Sequence, residues 1–372
     1  MSDHKKIMII GGGLSGLTCS ILLQKAGFEV TLFEKKHYPF HRVCGEYISN
    51  EARPFLQSLN IPLSDLGHSN ISRLSVTTKR GNEVLTNLTM GGFGLSRYKL
   101  DDQLYQQAQH LGVKFLFEKV IDIQFTEGLF EITSDQGVYH SAIAIAAYGK
   151  RSNLDQKLKR SFFYNRSPYL GVKYHIKTDL PGNLIRLDNF NGGYSGVCKI
   201  EDEKFNLCYL SQTVNLKKSQ GIQDMEENVL YKNPFLKHLF KNSDFLYDKP
   251  EVINEISFER KTLIEDHLLF CGDSAGMITP LCGNGMAIAF HSAKILSECI
   301  INFTNGSVLN RNAMEESYRE KWSREFTLRL KSGRIIQRLF GAPVLAELAV
   351  TTMKNLPALN QIIVKKTHGK VF

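Results

Sequence analysis

Residues 5–17 read Lys5-Lys-Ile-Met-Ile-Ile10-Gly11-Gly-Gly13-Leu-Ser15-Gly16-Leu17. The apolar run up to Ile10 has the pattern of a strand buried on both faces, and it stops at once in glycine. From Leu14 to Ala26 the spacing predicts a helix, closed by Gly27, the residue type best suited to leave a helix C-terminus. Phe28 to Glu34 predicts a second strand that ends in an acid. Two lysines ahead of an apolar stretch superficially resemble a secretory signal. Gly11, Gly12, Gly13 and Gly16 interrupt that stretch, however, and no small-residue cleavage site follows cleanly.

The spacing Gly11-x-Gly13-x-x-Gly16, set between a strand and a helix, has a mechanism. Gly11 permits the tight turn, Gly13 lets a pyrophosphate approach the backbone, and Gly16 lets the helix pack closely on the strand. Free N–H groups and the helix dipole then favour phosphate at the helix start. Glu34, 18 residues beyond Gly16, is placed to hydrogen-bond the adenosine ribose hydroxyls, and its charge disfavours a 2′-phosphate. Ser15 and Lys35, adjacent to these residues, complete the contacts expected at this dinucleotide half.

The far end of the chain supplies the other half. His267 to Phe270 predicts a short strand, followed by Cys271-Gly272-Asp273-Ser-Ala-Gly276. Pro280-Leu-Cys-Gly283-Asn284-Gly285-Met286 then opens a helical run to Ile301. Asp273 suits a polyol such as a ribityl chain. The backbone donors of the loop through Pro280, Gly283, Asn284, Gly285 and Met286 suit a flavin N1/C2=O edge, which gains negative charge on reduction. With this order of motifs the sequence resembles the large FAD family that includes para-hydroxybenzoate hydroxylase and geranylgeranyl reductase, over about residues 5–300. Two further segments extend the resemblance. Arg42-Val-Cys44-Gly45-Glu46 follows the second strand, where the family places a loop beside the flavin, and its Cys-Gly pair looks like the reductase branch. Arg97 opens the segment Arg97-Tyr-Lys-Leu-Asp101-Asp102, from which the family sends an Arg toward the cofactor. Tyr148 stands where the hydroxylases carry Asp, and Gly276 where they tend to carry His. The single Trp322 leaves no Trp-x-Trp motif of the kind that flavin halogenases carry.

The 372 residues are 42% hydrophobic and 22% charged, with 29 Gly and 10 Pro, an ordinary globular composition. No stretch approaches the roughly 18 apolar residues that a membrane span needs. Seven cysteines without a C-x-x-C pair make neither a disulfide framework nor a metal site, and reduced thiols fit a cytoplasmic location. The fold class these patterns imply is α/β in a two-domain α+β arrangement. A Rossmann-like FAD-binding domain (1–73, 97–160 and 262–309) is interleaved with an antiparallel-sheet substrate domain (74–96 and 161–261), and a helical region (310–372) follows. Alternating strands such as 169–176 and 205–210, with a hairpin at Gly81-Asn82, form the expected roof over the flavin. Tyr169, Tyr174, His175 and Tyr194 are candidates to face the ligand.

From these readings the expected protein is an oxidoreductase. In the first reading, reduced flavin delivers a hydride to a hydrophobic or carrier-bound small molecule, with Cys44, Glu46 and Tyr194 nearest the chemistry. A monooxygenase that hydroxylates an aromatic or polyketide-like substrate is the alternative, and a non-catalytic flavin-binding protein is the alternative from another class. With one dinucleotide fingerprint, NADH or NADPH is expected only as a transient electron donor. No nucleic acid partner is expected. Residues 310–372 hold twelve Lys/Arg against five Asp/Glu, or seven of the nine surplus positive charges. This basic end is expected to pack on the sheet domain, and to offer contact to a membrane surface or an acidic carrier protein.

Overall fold

The computed structural model describes residues 5–277, 279, 283–305, 308–341, 343–355 and 369–372. Pro280 lies outside the described residues. The first strand, Lys6–Ile10, sits inside a six-stranded sheet, flanked by parallel strands Ile143–Ala146 and Glu29–Phe33. Leu268–Phe270 and Lys114–Leu116 extend the sheet on either side, and Ile264–Glu265 adds an antiparallel edge. Helix Leu14–Lys25 makes the crossover between the first two strands, and Gly27 at φ +85° ends it as the sequence implies. Ile7, Ile9, Ile143 and Ile145 are completely buried, which is why these strands read as unbroken apolar runs rather than as an alternation. Helix Gly285–Phe303 packs on helix Leu14–Lys25, and both share one core with the sheet.

A nine-stranded sheet forms the second layer. It is mixed rather than purely antiparallel, because Leu184–Phe190 pairs in parallel with Ser69–Thr77. Two antiparallel units meet edge to edge there: the hairpin Ser69–Thr77/Glu83–Gly94, and the meander Leu184–Phe190, Gly193–Lys199, Phe205–Gln212, with Tyr169–Lys177 beyond it. Strand Ser69–Thr77 begins five residues ahead of the expected Leu74, since polar Ser69, Asn70 and Ser72 hide its start from a hydrophobic pattern. Short strand Tyr47–Ser49 also joins this sheet, carrying the 42–46 loop to its edge.

Side chains alternate across strand Tyr169–Lys177. Val172, Tyr174 and Ile176 enter a separate core with Met225, Leu236 and Leu239. Tyr174 therefore turns away from the cavity described below, and its hydroxyl donates to Glu226 at 2.9 Å. Gly171, Lys173 and His175 take the opposite face.

Helix Arg311–Gly341 lies along Gly285–Phe303, with Met314, Tyr318, Trp322, Phe326 and Leu330 in the main core. Trp322 packs over Gly276, where a Cβ would come within 3.3 Å of its ring. Helix Pro343–Asn355 covers the hairpin of the large sheet through Val350 and Met353 against Val76 and Val84. Among the described residues no helix is long and apolar enough to cross a membrane.

One buried cation ties the two halves of the smaller sheet's loop edge. Arg160 pairs with Asp155 at 2.9 Å, donates to the carbonyls of Thr262 and Ser274 at 2.8 and 3.0 Å, and lies 3.6 Å over the Phe270 ring. Asp155 also receives the Tyr148 hydroxyl at 2.7 Å. Arg160→Met should leave Asp155 charged and buried, at a cost of about 3–5 kcal/mol, read as a lower urea midpoint. Asp155→Asn in the same chain should restore part of the loss.

Candidate active site

The two glycine turns meet. Gly272, at φ +66°, lies against the first turn of helix Leu14–Lys25 so closely that a Cβ would strike the Ser15 hydroxyl. Gly11, at φ +105°, lies against the backbone of Ala147 and Tyr148, where a Cβ would come within 2.6 Å. Gly16 packs on the Gly11 carbonyl. Gly13 is different. The nearest atom to its absent Cβ is Arg97 Nη2 at 3.9 Å, so its backbone stays open to an approaching ligand.

Glu34 shapes this turn from below. Its carboxylate accepts from the Gly12 amide at 3.1 Å and the Lys36 amide at 3.2 Å, and pairs with Arg42 at 3.1 Å. Arg42 also reaches Asp101 at 3.0 Å, and Asp101 takes Arg97 in a two-point bond at 2.6 and 2.8 Å. Tyr38 donates to the Gly12 carbonyl at 2.5 Å. Two guanidinium groups thus stand beside the open glycine turn, each held by a carboxylate.

A continuous cavity of about 740 Å³ runs from this turn to the large sheet, within the usual range for a small-molecule site. Gly11, Gly13, Ser15, Glu34, Lys35, Arg42, Cys44, Gly45, Glu46, Arg97, Tyr194, Asp273, Gly283, Gly285 and Met286 all line it. Gly16, Gly272 and buried Asn284 lie behind the wall and support it. Sequence reasoning expected the sheet as a roof over the cofactor and named Tyr194 on it, but missed the other residues of that wall. Cross-strand registers set Leu187 beside Gly196 and Gly196 beside Cys208, with Tyr194 next to Leu210 and Leu210 next to Gly171. Ile256 and Met277 close on Tyr194 and Leu210 from outside the sheet. Strand alternation alone would have put Tyr194, Gly196 and Cys198 on one face; which face meets the cavity was not in the pattern.

The 42–46 loop joins the two layers. Asn206 donates to the Cys44 carbonyl at 3.1 Å and Cys198 to the Gly45 carbonyl at 3.4 Å. Burial pushes the Cys44 thiol up, so it is held protonated. Glu46 has φ +55° and is completely buried. It accepts from Lys173 at 2.5 Å, pairs with His175 at 2.7 Å, and takes the Arg97 amide at 2.9 Å. Burial alone would raise its carboxyl, but Lys173 and His175 outweigh that and pull it down to about 2. Glu46 lines the cavity as an ionised anchor rather than a source of protons. His175, expected to face the ligand, lies behind the loop and bonds to Tyr247 at 2.8 Å, which in turn reaches His41 at 3.0 Å. Tyr169 is half-buried against Phe258. His291 stacks on Phe372 at 4.2 Å, away from the cavity. Among the described residues no cluster suits a metal ion.

The site fits FAD on this chain's own geometry: an open glycine backbone with two adjacent guanidinium groups, a Gly-Asp turn docked against it, and a cavity that continues past Gly283 and Gly285. Residues 9–46 match the family described as an NAD(P)-binding Rossmann-like domain. Conditioned medium factor receptor 1 of Dictyostelium discoideum is 22% identical over 86% of this chain and 68% of its own length. Tryptophan 2-halogenase of Chondromyces crocatus is 23% identical over 85% of this chain and 64% of its own length. Kynurenine 3-monooxygenase of Flavobacterium johnsoniae is 22% identical over 82% and 74%. The reductase branch is present too: digeranylgeranylglycerophospholipid reductase 1 of Methanosphaera stadtmanae is 22% identical over 98% and 86%. Among solved structures, the flavin-dependent brominase Bmp2 superposes with a TM-score of 0.81 at 20% identity, over 98% of this chain and 94% of that one. The fold is the one seen in that flavin-dependent brominase. Trp322, the single tryptophan, is packed in the core beside Phe326, outside the cavity lining.

Glu34→Arg should reverse the charge that holds the Gly12 amide and Arg42, and the purified variant should lose its flavin while keeping its circular dichroism. Glu46 has a folded pKa below its unfolded value, so its stabilisation is full above about 4.5 and is lost as pH falls toward 2. That stabilisation is on the order of 3 kcal/mol. Urea midpoints of Glu46→Gln should be lower at neutral pH and lack this acid-side slope.

Proposed function

We propose that this protein is an FAD-dependent oxidoreductase acting on an apolar small molecule held between the flavin and the large sheet. The observation that carries this reading is one continuous cavity, lined at one end by both glycine turns and at the other by Leu187, Gly196, Leu210, Ile256 and Met277. Bound FAD supplies the redox chemistry. Gly13, Arg97 and Arg42 would hold its phosphates, Asp273 its ribityl chain, and the Gly283–Met286 segment its flavin edge. The chain's own contribution is to seat the substrate on an apolar wall and to exclude water.

For the reaction itself, hydride transfer to an unsaturated apolar molecule is the reading favoured by the Cys44 thiol. It is neutral, faces the cavity, and can hold the proton that such a reduction consumes, a task Glu46 cannot perform. Monooxygenation is the second reading, favoured by what relatives such as the kynurenine 3-monooxygenase are named for. NADH or NADPH would act as a transient donor in either.

The two readings separate in one experiment. Holoprotein reduced anaerobically by NADH, NADPH or dithionite is mixed with an apolar metabolite extract, with and without ¹⁸O₂. Reduction predicts products two hydrogens heavier without oxygen, formed more slowly by Cys44→Ala at unchanged flavin content. Products carrying ¹⁸O would replace that reading with monooxygenation, and a colourless protein that refuses added FAD would remove both.

A further inference from the structure

Lys150 lines the cavity and takes no part in the proposed flavin seat. Lys150 follows Gly149, which takes φ +89° with no atom within 4 Å of its absent Cβ. The backbone at Lys150 is clamped: Lys261 donates to the Lys150 carbonyl at 2.6 Å and to the Asp273 carbonyl at 2.8 Å, bridging the two turns, while its ammonium lies 4.3 Å from the Phe162 ring centre. Arg151, next in the chain, is held by Glu255 at 3.0 Å and by the Phe163 ring. The Lys150 side chain, by contrast, lines the cavity, and among the described residues no hydrogen bond or ion pair ties its ammonium.

Lys150 lines the same cavity as Asp273 from the Gly-Asp turn, Cys208 from the large sheet and Cys44 from the 42–46 loop. These groups and Lys261, from the loop ahead of the edge strand, are the charged and titratable groups that act on it. The phosphate end of the cavity has its own cations in Arg97 and Arg42, each already matched to a carboxylate. Burial pushes the Lys150 ammonium down to about 8, with Asp273 opposing, so near neutral pH it is charged and only weakly hydrated. A charge in that position strengthens any anion brought to it.

Resting on the proposed FAD-dependent activity, we propose that Lys150 forms an anion subsite in the substrate chamber, which receives an acidic hydroxyl or carboxylate oxygen carried by an otherwise apolar substrate. The apolar row Leu187, Leu210, Ile256 and Met277 would take the body of that molecule and Lys150 its one charged oxygen. The subsite selects for such a molecule over a pure hydrocarbon of the same shape, because without the anion a half-buried ammonium gains no hydrogen-bond partner.

The probe is 4-nitrophenol, whose absorption changes on ionisation, titrated by difference spectroscopy against the FAD-loaded protein across pH. Wild type should bind the phenolate form and lower the apparent pKa of the bound phenol by roughly 1–3 units, the range for an opposite charge at close approach. Lys150→Met should abolish the shift while keeping its full FAD content and FAD affinity, and Lys150→Arg should retain it. An equal shift in wild type and Lys150→Met, or no binding by wild type, would overturn the subsite. Loss of FAD from a folded Lys150→Met would also overturn it, by assigning Lys150 to the cofactor's phosphates or flavin. A wild-type protein that takes up no FAD would instead sink the oxidoreductase reading, so the two failures are distinguishable.

Discussion

The contact on which the remaining structure rests is the close approach of the Gly272 turn to the start of the first helix. The turn can dock there only because Gly272 has no Cβ to strike the Ser15 side chain. The approach joins segments far apart in the chain, and it puts Asp273 on the same cavity as Gly13. Everything assigned to the cavity presupposes this docking: a phosphate end and a polyol end belong to one ligand only if the two turns share one space. Arg160, buried beneath both, holds the Asp155 and Ser274 segments together so that the turn arrives in register.

A second constraint decides how the sheet meets that cavity. Glu46 is a buried carboxylate with three partners from two other segments, Lys173 and His175 on the large sheet and the Arg97 amide at a helix start. A buried charge is tolerable only when it is matched, so the loop carrying Cys44 and Gly45 cannot leave the sheet without leaving charges stranded. The arrangement turns an exposed-looking loop motif into a rigid seam. It also divides the polar labour of the site: Glu46 holds, Cys44 keeps its proton, and Lys150 faces the chamber.

The reach of the sequence differed along the chain for identifiable reasons. Gly11, Gly13 and Gly16 were legible because a strand, a tight turn and a helix start impose a spacing that few other structures need. Gly272, Asp273, Gly283 and Gly285 were legible on the same grounds. The strand boundaries near Ser69 were not, because polar residues there alternate without an apolar face. Tyr174 and its neighbour His175 were both candidates to face the ligand, since both faces of a doubly covered strand carry large side chains and alternation says only that neighbours differ. Glu46 was read as a chemical group because its partners, Lys173 and His175, are far away in the chain and carry no motif. Lys150 follows Tyr148 and Gly149 directly, yet nothing local marks a lysine as lacking a partner.

By itself, then, the sequence determined the local geometry: a glycine turn that opens its backbone, a second turn of the same kind, and apolar runs that must be buried on both faces. These follow from backbone sterics and side-chain pattern, which act over a few residues. Only the tertiary structure decided that the two turns share one cavity, that the sheet offers it Tyr194, Gly196 and Leu210 rather than Tyr174, and that Glu46 is ion-paired while the Lys150 side chain is left to line the cavity. Those outcomes depend on charge pairing and on which face of a strand is covered. Both are settled by contacts between distant segments and leave no local signature.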